Sequence, residues 1–304
     1  MNACGQRPNT RAARRRLSAD GHWAPFTAVL ALVAGCAGWA FPLAVQGAEG
    51  FFTERQPPAV RAVWPSVFAF VCEGRGGRYT ASAFLVGKTA AGGKRADYYF
   101  ITAGHAIEDC RQPQRYLTEN IGQPRFEADG ITLAAPPLRL NAPATVLVDD
   151  TYDLALVKAS APAAARLGPP VKIADRCDRV FHRPVYAIGF PGVSRRRSLH
   201  LSGETKRWSR GESVGLGRAD FRGVNAVYIA ANVDSLPGSS GGPVVDETGA
   251  LIGVIAKGAA ASENGFRYDV DPKKPDDWQT FLAPCQAVLR ILQRSRIGFA
   301  AAAD

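Results

Sequence analysis

The residues best suited by type to covalent chemistry lie in Leu236-Pro-Gly-Ser-Ser-Gly-Gly-Pro243, where Ser240 stands between glycines on a tight turn. A serine hydroxyl becomes a nucleophile only when a base takes its proton, and the anion it raises on a carbonyl needs donors to receive it. Glycine at Gly238, Gly241 and Gly242 lets the backbone turn so that amide N–H groups can aim at such an anion; Gly238 and Ser240 are the candidate donors. A base and its orienting carboxylate stand upstream. His105 ends Thr102-Ala-Gly-His105 behind the apolar run Tyr98-Tyr-Phe-Ile101, and Asp153 opens Asp153-Leu-Ala-Leu156. Asp149 and Asp150 compete with Asp153 on proximity alone and read as turn or surface carboxylates. Of the four histidines, His22 lies in the N-terminal segment, and His182 and His200 lack comparable surroundings. Each stretch alone also reads as a strand end, a buried-strand start or a flexible loop. Their joint presence carries the argument.

The order histidine, aspartate, serine is that of one protease family and not of the subtilisins or α/β-hydrolases. With these three motifs in register, the chain resembles a trypsin/chymotrypsin-type serine protease of the bacterial exported kind, from about Ser66 to the C-terminal helix. The resemblance implies an all-β fold of two six-stranded antiparallel β-barrels closed by a C-terminal α-helix. It also implies an endopeptidase acting on protein or peptide substrates without a cofactor, with His105 as base and then acid, Asp153 orienting the imidazole, and Gly238 and Ser240 holding the oxyanion. One position departs from the digestive relatives: Ser239 stands where they carry an aspartate that receives a newly cut N-terminus. The expected oxyanion loop is therefore organised without that ion pair, or collapses until a partner orders it. Asp234, six residues before Ser240, occupies the place of the trypsin pocket aspartate, and Gly258 and Gly265 resemble the glycines that keep such a pocket open. That pattern favours cleavage after arginine or lysine. Against it, Asp234 can simply cap backbone N–H groups, and Ala256-Lys257 replaces the usual Ser-Trp, with Lys257 able to repel a cationic substrate.

The elements around these residues read as short β-runs. Ser66 to Cys72, Tyr79 to Val86, Asp97 to Thr102, Ala144 to Val148 and Asp153 to Ala159 belong to a first barrel. Gly87 to Gly93 reads as a hairpin or loop, and the alanine- and proline-rich Ser160 to Pro170 as the crossover. Pro184 to Phe190, Glu212 to Leu216, Ala226 to Val233, Gly242 to Asp246, Ala250 to Lys257 and Phe266 to Val270 form a second series. From Cys285 to Arg296 the period changes: Val288, Leu289, Ile291 and Leu292 share one helical face, and Pro284 suits the helix start. The expected division is 1–48 export signal or anchor, 49–160 first barrel with His105 and Asp153, and 161–304 second barrel with Ser240 and the helix. Nothing after the helix has the length of a PDZ domain, so a protease without that accessory domain is expected.

The chain of 304 residues carries a formal charge of +10, with five arginines against one aspartate in its first 47 residues. Arg14-Arg-Arg16 precedes an apolar stretch from Trp23 to Val45 and then Gln46-Gly-Ala-Glu49, the layout of a secretory signal cut near Gly47 or Ala48. A lipid-carrying Cys36 in Val33-Ala-Gly-Cys36 and an uncleaved membrane anchor remain alternatives; Pro25 and Pro42 weaken the latter. Basic residues are not interleaved with aromatics, so no nucleic-acid partner is expected. Ser194-Arg-Arg-Arg-Ser198 with Lys206, Arg207 and Arg210 reads as solvated charge before it reads as a site for an acidic partner or membrane. No His/Cys/Asp cluster has metal-ligand spacing. Cys72, Cys110, Cys177 and Cys285 allow three pairings, or four buried thiols. Export to an oxidising compartment favours two disulfides, Cys72 with Cys110 and Cys177 with Cys285, and the mammalian relatives have similar staples. The rival in a different class is a protease-fold envelope protein that binds partners through a latent site; acyl transfer on esters is a third option.

Overall fold

The apolar runs of the first half become strands buried on both faces, which is why they read as near-continuous apolar stretches. The computed structural model describes residues 55–300 apart from 75–76, 91–93, 109, 111–113, 122–137, 166, 175, 177–180, 193–204, 222, 259–260, 263–264 and 267–279. The first sheet contains β1 (Val67–Gly74), β2 (Gly77–Ala90), β3 (Arg95–Ala103), β4 (Arg115–Thr118), β5 (Arg139–Asn141), β6 (Ala144–Asp149) and β7 (Leu154–Pro162). Its order is β5-β4-β1-β2-β3-β7-β6, with antiparallel pairing throughout. Seven strands replace the expected six, because β4 and β5 are too short for a period of two to show in their sequences.

Alternation along these strands divides the core. Phe68, Phe70, Ala81, Ala83, Leu85, Tyr98, Phe100, Ala155 and Val157 face one interior, where the Phe68 and Phe100 rings meet edge to face at 5.3 Å. Their neighbours Val67, Ala69, Phe84, Ile101, Leu154 and Leu156 face a second core, built largely by the other barrel and the last helix. β2 runs on to Ala90, so Gly87 to Ala90, expected in a loop, are strand; a bulge between Leu85 and Gly87 lets the ladder continue.

The second barrel is closed and six-stranded as expected. It comprises β8 (Pro184–Gly189), β9 (Arg207–Phe221), β10 (Val224–Ala231), β11 (Pro243–Val245), β12 (Leu251–Gly258) and, beyond a small ribbon of β13 (Ala261–Ser262) and β14 (Gly265–Phe266), β15 (Thr280–Pro284). Glu212 to Leu216 is the middle of the long β9, and β15 was not foreseen. Of Phe266 to Val270, Phe266 lies in β14 and 267–270 fall outside the described residues.

Among the described residues three α-helices complete the fold. α1 (Pro58–Val63) begins on proline, which lacks the N–H a first helical turn would leave unmet, and buries Ala59, Val60 and Val63. α2 (His105–Glu108) is a single turn after β3. α3 (Cys285–Arg294) starts behind Pro284 and buries Val288, Ile291 and Leu292 of the expected face together with Cys285 and Ala287, while Leu289 is only partly buried at its edge. Cys72 and Cys110 form the expected disulfide, with Cα atoms 5.8 Å apart, tying β1 to the segment after α2. Cys285 is also disulfide-bonded; Cys177 lies outside the described residues, as does the whole of 1–54 with its signal, lipid and anchor readings. No helix among the described residues is long and apolar enough to cross a membrane.

Candidate active site

His105 stands where β3 gives way to α2, and Asp153 at the turn entering β7, the strand paired with β3. The ladder sets Ala103 opposite Leu154, so histidine and aspartate emerge side by side at one end of the sheet. His105 Nδ1 donates to Asp153 Oδ2 at 2.5 Å, and the His105 amide donates to Oδ1 at 2.8 Å. The carboxylate side chain is 2% exposed and the imidazole 34%. With Nδ1–H donated to Asp153, the neutral ring carries its proton-accepting lone pair on Nε2. Asp153 itself has left-handed backbone, φ 53°, a conformation aspartate tolerates. Its carbonyl accepts from Gly104 N at 2.7 Å, and a Cβ on Gly104 would stand 2.9 Å from Asp153 Oδ1. The glycine of Thr-Ala-Gly-His is therefore required by close approach of the carboxylate. Asp149, the competing carboxylate, instead accepts the Thr151 and Tyr152 amides through Oδ1 and shapes the turn.

Ser240 lies on the loop between β10 and β11. Gly241, beside it, is packed so closely on β2 and β3 that a Cβ would meet Ser82 O at 2.3 Å and Ala103 N at 2.6 Å. The Ser240 loop thus presses on the end of the strand that leads to His105. Ser240 O accepts from Ser82 N at 2.8 Å. Two peptides in this loop are held through their carbonyls. Pro237 O accepts from Gly192 N at 2.7 Å, and Ser239 O accepts from Gly242 N at 2.9 Å. In a trans peptide the N–H points opposite to its C=O, so these bonds fix the directions of the Gly238 and Ser240 N–H groups. Among the described residues neither N–H is spent on another acceptor, whereas those of Ser239, Gly241 and Gly242 all are. Ser239, the departure from the digestive pattern, is 2% exposed, and its Oγ accepts from Leu236 N at 3.3 Å.

The sequence did not point to Tyr228, which reaches across from β10. Its hydroxyl donates to Thr151 O at 3.2 Å, and its ring meets Tyr152 edge to face at 5.4 Å. Burial first, and then the charge of Asp153, push this phenol up to about 12. Arg290 of α3 stands 5.4 Å over the Tyr152 ring. The Asp153 turn is therefore held from the second barrel as well as the first.

Around the specificity residues the structure brings two of three together at Thr280. Gly258 is opposite Thr280 in the β12–β15 ladder, and Thr280 Oγ1 donates to Val233 O at 2.8 Å beside Asp234. Asp234 is half-buried, and its carbonyl accepts from Ser209 Oγ at 3.3 Å. Gly265 belongs to the separate β13–β14 ribbon. Lys257 Nζ donates to Asp220 O at 3.3 Å and so points toward the β9–β10 hairpin. Among the described residues no group of three or more His, Cys, Asp or Glu could hold a metal ion.

The family described as the trypsin-like peptidase domain matches residues 81–254, more than half of the chain. The chain belongs to that family. It is a trypsin-like serine peptidase, and solved structures agree in fold. The Rv3671c protease from M. tuberculosis in its active form is 17% identical with a TM-score of 0.52, over 81% of this chain and 87% of that one. The HtrA-type protease AlgW with decapeptide is 19% identical with a TM-score of 0.52, over 78% of this chain and 66% of AlgW. No curated protein sequence matches significantly. At these identities the structural likeness bears on the double-barrel fold of this trypsin-like peptidase, not on its substrates.

Proposed function

We propose that the protein is an exported serine endopeptidase with His105, Asp153 and Ser240 as its triad and the Gly238 and Ser240 amides as its oxyanion hole. The observation that carries this reading is the His105–Asp153 pair at the strand end on which the Ser240 loop is packed, with two amides in that loop held in direction and unspent. Neutral His105 takes the Ser240 proton through Nε2 as Oγ attacks a peptide carbonyl. The carbonyl electrons move onto oxygen, where the two N–H groups receive them. Collapse of the tetrahedral species expels the amine, which takes the proton back from His105, and leaves an acyl-enzyme. Water, deprotonated by the same imidazole, then releases the acid and restores Ser240. Asp153 keeps its negative charge throughout and stabilises the imidazolium.

Specificity for arginine or lysine before the scissile bond belongs to the same proposal. Its supports are the half-buried Asp234 beside the Gly258 strand end and the Lys257 ammonium engaged elsewhere, which weakens the objection from its charge. Export rests on the Arg14-Arg-Arg16 and Trp23 to Val45 pattern, with lipid or membrane attachment through that segment as its variants. Sequencing the N-terminus of protein recovered from the envelope or medium tests it: a start near Gly47 supports the cleaved signal, and a lipid-modified Cys36 replaces it with the lipoprotein.

The catalytic test uses the mature protein with disulfides intact beside Ser240→Ala. Labelling by a serine-directed phosphonate and cleavage of a peptide library are expected in the first and absent from the second. Cuts after arginine or lysine support Asp234 as pocket base, and another preference removes it from that role. A folded protein that neither labels nor cleaves would put the partner-binding reading first.

A further inference from the structure

We propose that Ser82 is a positioning residue for the oxyanion hole: from the first barrel it holds the carbonyls of Gly238 and Ser240, and so sets the direction of the two donors that flank the Gly238–Ser239 peptide. The proposal rests on the catalytic reading above and adds a residue to it. Ser82 sits in β2 within Ala81-Ser-Ala-Phe84 and is wholly buried. A hydroxyl in such surroundings is costly unless both its donor and its acceptor capacity are used. Both are used here. Ser82 Oγ donates to Gly238 O at 2.7 Å and accepts from Phe190 N at 2.9 Å. Its amide donates to Ser240 O at 2.8 Å, and its carbonyl accepts from Thr102 Oγ1 at 2.8 Å, three residues before His105. One residue thereby bonds both ends of Gly238-Ser239-Ser240 and joins them to the strand of the base.

The consequence follows from which peptides remain to be held. Gly192 pins the peptide that carries the Gly238 N–H, and Gly242 pins the one that carries the Ser240 N–H. Between them lies the Gly238–Ser239 peptide. Its N–H is met inside the loop by Leu236 O at 2.8 Å, and its carbonyl is met by the Ser82 hydroxyl from outside the loop. Without that hydroxyl the Gly238 carbonyl loses its donor, and glycine, with no side chain to resist, can rotate to find another. Rotation on either side of Gly238 redirects the two amides that must converge on one oxygen. With Ser239 in place of an aspartate, an ion pair from that position is not available to hold the loop. Ser82 supplies the restraint from the other barrel, through neutral hydrogen bonds.

The test compares wild type, Ser82→Ala, Ser66→Ala and Ser240→Ala with disulfides intact. Ser66 is the control: it is equally buried, and its hydroxyl holds Pro169 O at 2.5 Å away from the nucleophile loop. Measurements are kcat, KM, thermal midpoint, and affinities for a peptidyl aldehyde and for the product peptide. Ser82→Ala is expected to lower kcat on the order of 10-fold to 10²-fold, less than loss of a hole donor itself. KM and product affinity are expected to stay within about twofold, with aldehyde affinity falling in step with kcat/KM. Ser66→Ala is expected to lower the thermal midpoint and keep kcat. An unchanged kcat in folded Ser82→Ala overturns the proposal, as does a fall matched by Ser66→Ala. If Ser82→Ala does not fold, Ser82→Cys, which keeps the volume with a weak donor, is held to the same kcat and aldehyde criteria. A wild type that neither labels nor cleaves defeats the underlying catalytic reading, whereas an active wild type with an unaffected Ser82 variant defeats this inference alone.

Discussion

A carboxylate that is 2% exposed and an imidazole that is 34% exposed differ at the residue scale in a way that suits the proposed roles: one is shielded in a fixed orientation, the other reaches solvent. Asp153→Asn keeps the shape but offers the imidazole an amide that can present the wrong group, so kcat is expected to fall on the order of 10³-fold to 10⁴-fold. Steady-state kinetics on a peptide substrate check this, with KM expected to be little changed. Tyr228 gives a separate reading in alkali. Its phenol is raised to about 12 in the folded protein, so the folded state keeps the proton after the unfolded chain has lost it. The associated stability is whole below the ordinary tyrosine value of about 10 and is lost as pH rises toward about 12. Urea midpoints across that window are expected to fall in wild type and to fall less in Tyr228→Phe. Tyr116, raised by burial in the first sheet, acts in the same direction and leaves a residual slope.

The elements act through what their ends hold. β3 and β7 deliver His105 and Asp153 because they are paired in register, and α2 is a single turn with little stability of its own. The Cys72–Cys110 disulfide supplies what the turn lacks, by tying the segment after α2 to β1. It spans 38 residues, a loop whose closure is worth about 4 kcal/mol in the chain-entropy account. The Cys72→Ser, Cys110→Ser double variant is therefore expected to lose stability of about that size in urea unfolding. Its kcat is expected to fall as well, since the freed Cys110 lies only five residues beyond His105, across the single turn of α2.

At the scale of the whole molecule, residues from both barrels serve one site. Ser82 and Thr102 of the first brace the loop of the second, and Tyr228 of the second braces the aspartate turn of the first. The chain end adds a clamp. Ile297 is buried against Gly87 of β2, and Ala300 O accepts from Ile173 N at 2.9 Å. Ile297→Ala is expected to cost about 2 to 4 kcal/mol by emptying that contact. A concerted unfolding transition by fluorescence and far-ultraviolet dichroism would show the two barrels coupled; resolved transitions would show them independent.

Most of the longer strands and the last helix were legible in the sequence because burial leaves a local record of apolar runs, turn residues and a change of period at Cys285, and the double-barrel arrangement followed from the resemblance that the three motifs carry. The candidate nucleophile, base and orienting acid were legible because Thr-Ala-Gly-His, Asp-Leu-Ala-Leu and Gly-Ser-Ser-Gly-Gly each carry their chemistry within a few residues. The short β4 and β5, α1 and β15 left no such record, being too brief or too mixed for a period to emerge. Ser82 showed only as one polar residue among several in its strand, and Tyr228 only as one aromatic among many. Their partners, Gly238 and Thr151, are 156 and 77 residues away. Hydrogen bonds at that separation exist only after two sheets have curled and met, so the tertiary structure alone decided which residues hold the candidate catalytic groups in place.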